Sequence, residues 1–292
     1  MKYACIAQYR PEYPLGLMCR VLRVSRSGFL KAQRRGPSAR ALADERDRLL
    51  VRAAYAASHG RYGVPRVHET LAQAGTPVSL QRVARLMQED GLQARAPKPF
   101  VCTTDRRHEE PIAPNRLDRA FAVGSAPDRV WVGDITYVPT DEGWLYLAVL
   151  LDLATRRAVG WAVSSSIDTE LVSTAFARAV VARRPASGLI HHSVRGRQYA
   201  SAAYQAPLGA IGALPSMSHA GDCWDNAVAE SFFWTLEWEL LMGARFPTWA
   251  SAQRALTESI DGWYNRVRLH SSLGYRSPMQ YERFLQDQAR AA

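Results

Sequence analysis

Two acidic side chains in this sequence stand where a carboxylate has a specific chemical use. Asp134 lies inside a run of β-branched and aromatic residues, Val130 to Val138, that has no helical period and therefore predicts a strand. Glu230 follows Asp225 and Asn226, either of which can cap a helix that carries Glu230 in its early part. A charge within a strand is costly unless something uses it. Carboxylates are hard oxygen ligands of the kind that magnesium prefers.

Four blocks of sequence occur in an order that resembles a known family. They are residues 131–137, 188–201, 216–233 and 264–278, and the last reads Y-N-R-V-R-L-H-S-S-L-G-Y-R-S-P. Together they resemble the integrase-core chain of the transposases of the IS-three family of bacterial insertion sequences. That resemblance implies a ribonuclease-H-like fold carrying three acids, Asp, Asp and Glu, with thirty-five residues between the second and the third.

The second acid of that set is replaced in this chain. The family motif reads H-S-D-R-G-S-Q-Y, whereas residues 192–199 read H-S-V-R-G-R-Q-Y, and thirty-five residues lie between Val194 and Glu230. The resemblance therefore implies Asp134 and Glu230 as catalytic residues and metal ligands, with Val194 at the second acid position. Arg197, which stands at the serine of the motif, adds positive charge beside the site.

The implied chemistry explains why this replacement matters. Transfer of a phosphodiester builds negative charge on the attacking and leaving oxygens, and two Mg²⁺ ions about 4 Å apart can stabilise both. Val194 offers no lone pair, so metal binding is expected to be weakened and phosphoryl transfer severely reduced. Asp222, Asp225 or Asp152 could substitute, but Asp225 is most simply a helix cap and Asp152 a residue of a strand end or turn.

Two functions are consistent with this pattern. The first is a DNA transposase that cleaves and joins the element ends with metal ions, impaired here by Val194. The alternative is an inactive relative or regulator that still binds DNA and oligomerises. A regulator built on the N-terminal helices alone would leave almost two thirds of the chain without a purpose.

Positive charge is concentrated at the N-terminus. Residues 1–100 contain 18 Lys plus Arg against 7 Asp plus Glu, whereas residues 101–292 contain 19 against 20. Such clustering is typical of a DNA-binding region. The bias towards arginine is explained in large part by base composition, but the clustering is not.

The N-terminal third predicts two helix-turn-helix candidates. In the first, a helix from Leu15 to Leu22 precedes a recognition helix from Arg26 to Arg35. In the second, a helix starting at Pro65 precedes one capped by Ser79. Basic and aromatic residues beside the acids and near the C-terminus suit phosphate and base contact. The predicted DNA-binding residues are Arg26, Lys31, Arg34, Arg35, Arg82, Arg85, His192, Arg195, Arg197, Gln198, Tyr199, Asn226, Arg266, Arg268, His270 and Tyr275.

The fold class is α/β, a mixed sheet flanked by helices and preceded by an all-α region. The expected domains are a helix-turn-helix region at 1–93, a Pro- and Arg-rich linker at 94–127, a ribonuclease-H-like core at 128–245 and a helical extension at 246–292. Strands are expected at 130–138, 144–153, 157–163, 189–192 and 214–218, and a helix from Thr169 to Arg183. Trp234 or Trp238 is a candidate subunit contact.

The expected partners are double-stranded DNA, further copies of this chain and a small upstream helix-turn-helix protein, which the family resemblance implies. The four cysteines are too scattered for a zinc module or a disulfide framework. No apolar run is long enough for a membrane span. A cytoplasmic, nucleoid-associated protein is therefore expected.

Overall fold

The computed structural model describes residues 2–34, 36, 38–94, 111–119, 126–219 and 223–291. These residues divide into two compact units, 1–94 and 95–292, which are treated separately below. No helix in these ranges is both long and apolar enough to span a bilayer.

The first unit consists of six helices. Their bounds are α1 Lys2–Tyr9, α2 Leu15–Val21, α3 Arg26–Arg34, α4 Ala39–Ala57, α5 Val64–Gln73 and α6 Leu80–Glu89. Ile6, Cys19 and Phe29 form a small core between the first three helices. Two features match the sequence-based expectation, a proline in the first turn of α5 and Ser79 before α6, although the Ser79 side chain makes no capping hydrogen bond.

The second unit is built on a five-stranded sheet in the order β3-β2-β1-β4-β5. The strands are β1 Val130–Thr140, β2 Gly143–Asp152, β3 Ala158–Ser164, β4 Ile190–Ser193 and β5 Leu214–Met217. The first three pair antiparallel, whereas β4 runs parallel to both β1 and β5. The mixed α/β fold class is confirmed, and β1 lies at the centre of the sheet.

Helices cover both faces of this sheet. On one face lie α7 (Thr169–Arg183) and α9 (Ala202–Ala210), with the short helix α8 (Arg197–Ala200). On the other face α10 (Ala227–Leu236) and α11 (Trp249–Thr257) pack against β1 and β2. Because side chains of a strand alternate between faces, β1 divides its residues between these two layers.

The C-terminal part of the chain belongs to the same layer as α10. Phe246, Leu256 and Tyr264 join the hydrophobic cluster that contains Val132 of β1. The last helix, α12 (Pro278–Ala291), is held by Glu282, whose carboxylate pairs with Arg157 and with Arg183, each at 2.6 Å. These contacts join residues 246–291 to the sheet.

Two segments of π-helix interrupt this C-terminal part, at Glu237–Leu241 and Glu258–Tyr264. The first one turns Trp238 into the interior, where it is 6% exposed, whereas Trp234 is 42% exposed. Of the two tryptophans considered for a subunit contact, only Trp234 therefore offers an exposed ring.

Close approach of α7 to the sheet depends on Gly160 of β3. An ideal Cβ at this position would meet the Ala175 carbonyl oxygen and would lie 2.6 Å from Ala179 Cβ and 2.8 Å from Ala179 N. We expect Gly160→Ala to lower the free energy of unfolding by about 2 kcal/mol, because the backbone of α7 must move away. Urea denaturation of the full chain measures this change.

Gly209→Ala is the matched control. Gly209 lies in α9 with no heavy atom within 4 Å of its ideal Cβ, so alanine should be neutral or slightly stabilising. Equal stability of Gly160→Ala and the unmodified protein would show that α7 does not approach β3 as described.

Candidate active site and DNA-contact surfaces

Asp134 lies in the central strand and is almost fully buried. Its Cα pairs with Val149 of β2, and the flanking Val132 and Val138 belong to the cluster that packs under α10. The two-residue period of a strand therefore places the Asp134 side chain on the α10 face. The pKa of the Tyr199 hydroxyl is raised well above its usual value, chiefly by burial and in addition by the nearby charges of Tyr204 and Asp134. The charge of Asp134 therefore helps to keep this hydroxyl neutral.

Val194 directly follows the strand that neighbours β1. Ser193, the last residue of β4, pairs with Gly133 in parallel register, and Val194 is the next residue of the chain. The Val194 side chain is partly buried and packs against the hydrophobic cluster that includes Trp131. This position therefore presents an apolar side chain, where the family motif has an aspartate.

Glu230 lies in the first turn of α10 and is partly exposed. Asn226 precedes this helix at its N-cap position but makes no capping hydrogen bond with its side chain. Instead its Nδ2 lies 3.5 Å from the carbonyl oxygen of Gly133. This contact ties the start of α10, the helix that carries Glu230, to the residue before Asp134.

Asp225 is not the helix cap that the sequence suggested. It is 1% exposed, and its carboxylate accepts hydrogen bonds from Asn115 Nδ2 (3.0 Å), Arg119 Nε (2.8 Å) and the His219 backbone N–H (2.7 Å), with His219 Nδ1 at 2.7 Å. A carboxylate engaged by this many donors is not free to hold a metal. Asp225 therefore fixes the loop that leads into α10.

Asp152 is equally unavailable as a substitute acid. It accepts hydrogen bonds from the Thr155 backbone N–H (2.8 Å), the Thr155 hydroxyl (2.6 Å) and the Asp128 backbone N–H (2.7 Å). Its Cα pairs with Trp131, three residues along β1 from Asp134, which is about 10 Å at the usual rise of a strand. Asp152 organises the turn between β2 and β3. The third candidate, Asp222, lies outside the described residues.

Part of the expected linker packs on the sheet of the second unit, beside these residues. Residues 111–119 include Leu117, which is buried in the α10-side cluster, and the Arg116 backbone N–H donates to Ser216 Oγ at 2.8 Å. Asn115 and Arg119 come from this segment. Sequence reasoning missed both, because more than a hundred residues separate them from Asp225 and no motif marks the pairing.

The predicted DNA-binding residues fall into groups of different exposure. The exposed residues are Arg26, Lys31, Arg34, Arg197 and Arg266. Partly exposed ones are Arg82, Arg85, Arg195, Gln198 and Tyr275. Buried ones are His192, Tyr199, Asn226, Arg268 and His270. Arg35 lies outside the described residues.

Burial argues against direct DNA contact for the third group. His192 has Ser216 Oγ at 2.9 Å from Nδ1 and Ser218 Oγ at 3.2 Å from Nε2, and burial lowers its pKa to about 4, so it is neutral. Arg268 pairs with Glu239 at 2.8 Å. For His192 and Arg268 we therefore expect a role in supporting the fold around the site.

The basic residues of α6 are also engaged within the first unit. Arg82 pairs with Asp44 at 2.9 Å and Asp47 at 3.0 Å, and Arg85 pairs with Asp44 at 2.7 Å and Glu89 at 2.9 Å. Hydrogen bonding from Arg85 lowers the pKa of Asp44 in spite of desolvation. These pairs neutralise the charge of α6.

The segment formed by α2 and α3 differs in charge. Residues 14–34 contain five basic residues and no acidic one, and all five basic side chains are exposed, namely Arg20, Arg23, Arg26, Lys31 and Arg34. Positive potential in the first unit is therefore concentrated on α2–α3 and the turn between them.

Comparison with known proteins decides the family. The chain is 40% identical over 284 residues to transposase InsF for insertion sequence IS3A of Escherichia coli strain K12, a match that covers 97% of this chain and 98% of the relative. The chain belongs to this family of insertion-sequence transposases. It is also 41% identical over 264 residues to an uncharacterized 31 kDa protein of insertion element IS600 from Shigella sonnei, covering 90% and 97% of the two chains.

Family models match three segments of the transposase. Integrase core domain models match residues 124–223 and 212–278, and an HTH-like domain model matches residues 42–100. Among solved structures, the HTLV-2 integrase catalytic core domain in complex with magnesium overlaps 55% of this chain and 99% of its own, with 16% identity and a TM-score of 0.41. The resemblance drawn from four sequence blocks is confirmed by the curated relatives.

Asp225 provides a test of how the loop before α10 is held. Burial alone would raise the pKa of Asp225, but hydrogen bonds from the His219 backbone N–H and Arg119 outweigh it and hold the pKa at about 2. Because this pKa is depressed, the stabilisation is present above the unfolded-state value of about 4 and is lost as pH falls towards about 2. We expect Asp225→Asn to lower the free energy of unfolding by about 1–3 kcal/mol at neutral pH.

Asp141→Asn is the control for this change. Asp141 pairs with Arg245 at 3.2 Å on an exposed surface, where an ion pair contributes about 1 kcal/mol at most. Urea denaturation between pH 2 and pH 7 compares the two variants, and the difference between Asp225→Asn and the unmodified protein should shrink in the acid range. A difference that does not vary with pH would contradict the assignment.

Proposed function

We propose that this transposase binds insertion-sequence DNA through α2–α3 and retains a two-acid remnant of a metal site, with phosphodiester cleavage and strand transfer severely reduced by Val194. The observation that supports the impairment most directly is the environment of Val194. It follows β4 directly, after the Ser193 that pairs with Gly133, and it packs as an apolar side chain against the cluster around Trp131.

The residues present fit a magnesium ion in part. Asp134 and Glu230 supply hard oxygens from one side of the sheet, and the buried Asn226 Oδ1 nearby has no hydrogen-bond partner. Asp134 and Glu230 would hold the metal. When bound, Mg²⁺ would stabilise negative charge on the phosphate oxygens. Asp134 contributes its position on the rigid central strand, and Glu230 contributes through a helix start that Asp225 holds in place.

Restoring the missing acid tests this proposal. We expect Val194→Asp to raise cleavage and joining of labelled DNA carrying the element ends by at least about a hundredfold, with Mg²⁺ and with Mn²⁺, because a carboxylate returns to the position beside Asp134. The assay compares initial rates of nicking and of strand joining for the two proteins on the same substrate.

Val194→Asn is the matched control, because it has the size of aspartate without the charge. It should leave activity close to that of the unmodified protein, and Val194→Asp combined with Asp134→Asn should be inactive. If the unmodified protein cleaves as fast as Val194→Asp, this chain does not need the second acid and the proposed impairment is wrong.

The proposed DNA surface rests on charge that is not already neutralised. The exposed basic side chains of α2–α3 have no acidic residue in their own segment, whereas Arg82 and Arg85 of α6 are paired with acids of α4 and α6. Phosphate contacts release counterions, so each one contributes to the salt dependence of DNA affinity. The proposal therefore places the phosphate contacts of this unit on α2–α3.

We expect the double change Arg26→Ala and Lys31→Ala to weaken DNA binding and to reduce the slope of log K against log salt by about 2. Arg82→Ala is the control, since losing its pairs with Asp44 and Asp47 should lower thermal stability while the salt slope stays unchanged. Fluorescence anisotropy with duplex DNA at several salt concentrations measures both. The opposite pattern would assign the contacts to α6.

The proposal also covers the partners of this transposase. These are further copies of the chain, a small upstream helix-turn-helix protein, and DNA from both the element ends and the target. Among the aromatic residues of α10, Trp234 is exposed and available for a contact between copies. These partners are inferred from the family to which the chain belongs.

A further inference from the structure

Asn226 has a buried oxygen without a hydrogen-bond partner. The residue is 0% exposed, and its Oδ1 is the buried side-chain oxygen or nitrogen that finds no partner in the described part of the chain. Leaving such a group unpaired is destabilising, because its hydrogen bonds to water are lost and not replaced. A buried unpaired acceptor in a native structure therefore needs an explanation.

The orientation of the Asn226 amide is determined by its surroundings. Nδ2 faces the carbonyl oxygen of Gly133 at 3.5 Å. Exchanging the two amide atoms would bring two acceptors together, which is repulsive, so the oxygen must be the atom that faces away from that carbonyl. The unpartnered Oδ1 is a consequence of this contact with β1.

Helix capping does not account for the oxygen either. Asn226 occupies the N-cap position of α10, where an Asn side chain usually accepts a hydrogen bond from a backbone N–H of the first turn. No side-chain capping bond is present. The side chain is instead directed to the sheet, next to the strand position that carries Asp134.

Both remaining acids are connected to this amide. Asn226 contacts Gly133, the residue that immediately precedes Asp134, and it is the N-cap residue of α10, which carries Glu230 in its first turn. The preceding residue, Asp225, is held by Asn115, Arg119 and His219, so the loop cannot easily carry Asn226 elsewhere.

We infer that Asn226 Oδ1 is an oxygen ligand for a divalent cation together with Asp134 and Glu230, so that this chain keeps three oxygen ligands in spite of Val194. An amide oxygen is a hard, neutral ligand that Mg²⁺, Mn²⁺ and Ca²⁺ all accept. The inference rests on the proposed metal site and adds a ligand to it. Being neutral, Asn226 replaces the coordination of the lost aspartate without its charge, so cation binding persists while phosphoryl transfer stays reduced.

The test measures Mn²⁺ binding to the full chain by electron paramagnetic resonance of free and bound Mn²⁺, with no DNA and no activity involved. Asn226→Ala should weaken Mn²⁺ affinity at least about tenfold, as removal of a ligand does. Asn226→Asp should strengthen it. Asp134→Asn is the positive control for loss of the site.

Unfolding midpoints without metal separate a ligand from a structural residue. Asn226→Ala removes the Oδ1 that has no partner among the described residues, which is stabilising, and the 3.5 Å contact of Nδ2 with the Gly133 carbonyl, which is destabilising, so the midpoint should change little. If Asn226→Ala lowers the midpoint and leaves Mn²⁺ affinity unchanged, the inference is overturned. It is also overturned if Asp134→Asn weakens Mn²⁺ binding and Asn226→Ala does not.

The same changes in the Val194→Asp protein separate this inference from the proposed function. If Val194→Asp binds Mn²⁺ and Asn226→Ala does not weaken that binding, Asn226 is not a ligand while the metal site stands. If no variant, including Val194→Asp, binds Mn²⁺, both the metal site and the role of Asn226 are rejected.

Discussion

The arrangement of side chains in the second unit depends on strand β1, which is hydrogen-bonded along both edges, antiparallel to β2 and parallel to β4. A strand paired along both edges cannot slip by one residue without exchanging all of its side chains between the two faces of the sheet. Val132 and Val138 fix the α10 face of β1 by burial, and Asp134 is held on that face between them. The parallel pairing with β4 ends at Gly133 and Ser193, immediately before Asp134 and Val194.

Local patterns were sufficient to predict most elements of this fold. The helix from Thr169 to Arg183 has the predicted bounds, and the five strands begin and end within two residues of expectation. These elements follow from hydrophobic periodicity and from turn residues, which act over a few positions along the chain. The assignment of Val194 to the second acid position stays a prediction, which rests on the spacing to Glu230 between two recognisable motifs.

Roles that depend on distant partners were not predictable in the same way. Asp225 is suited to a helix cap by its type and place, yet its partners Asn115 and Arg119 come from a proline-rich segment that pattern alone marked as a linker. Arg268 stands in a basic and aromatic stretch typical of nucleic-acid contact, but folding buries it against Glu239. Charge along a sequence does not reveal which charges folding will pair.

Apolar packing of Val194 has a consequence for how its effect can be detected. A carboxylate at position 194 would have to be desolvated, whereas the valine adds to the hydrophobic cluster around Trp131. A valine here therefore favours folding, in keeping with the general opposition between active-site chemistry and stability. The impairment proposed for Val194 would then be invisible to any probe of folding and would be detected only by an assay of phosphodiester cleavage.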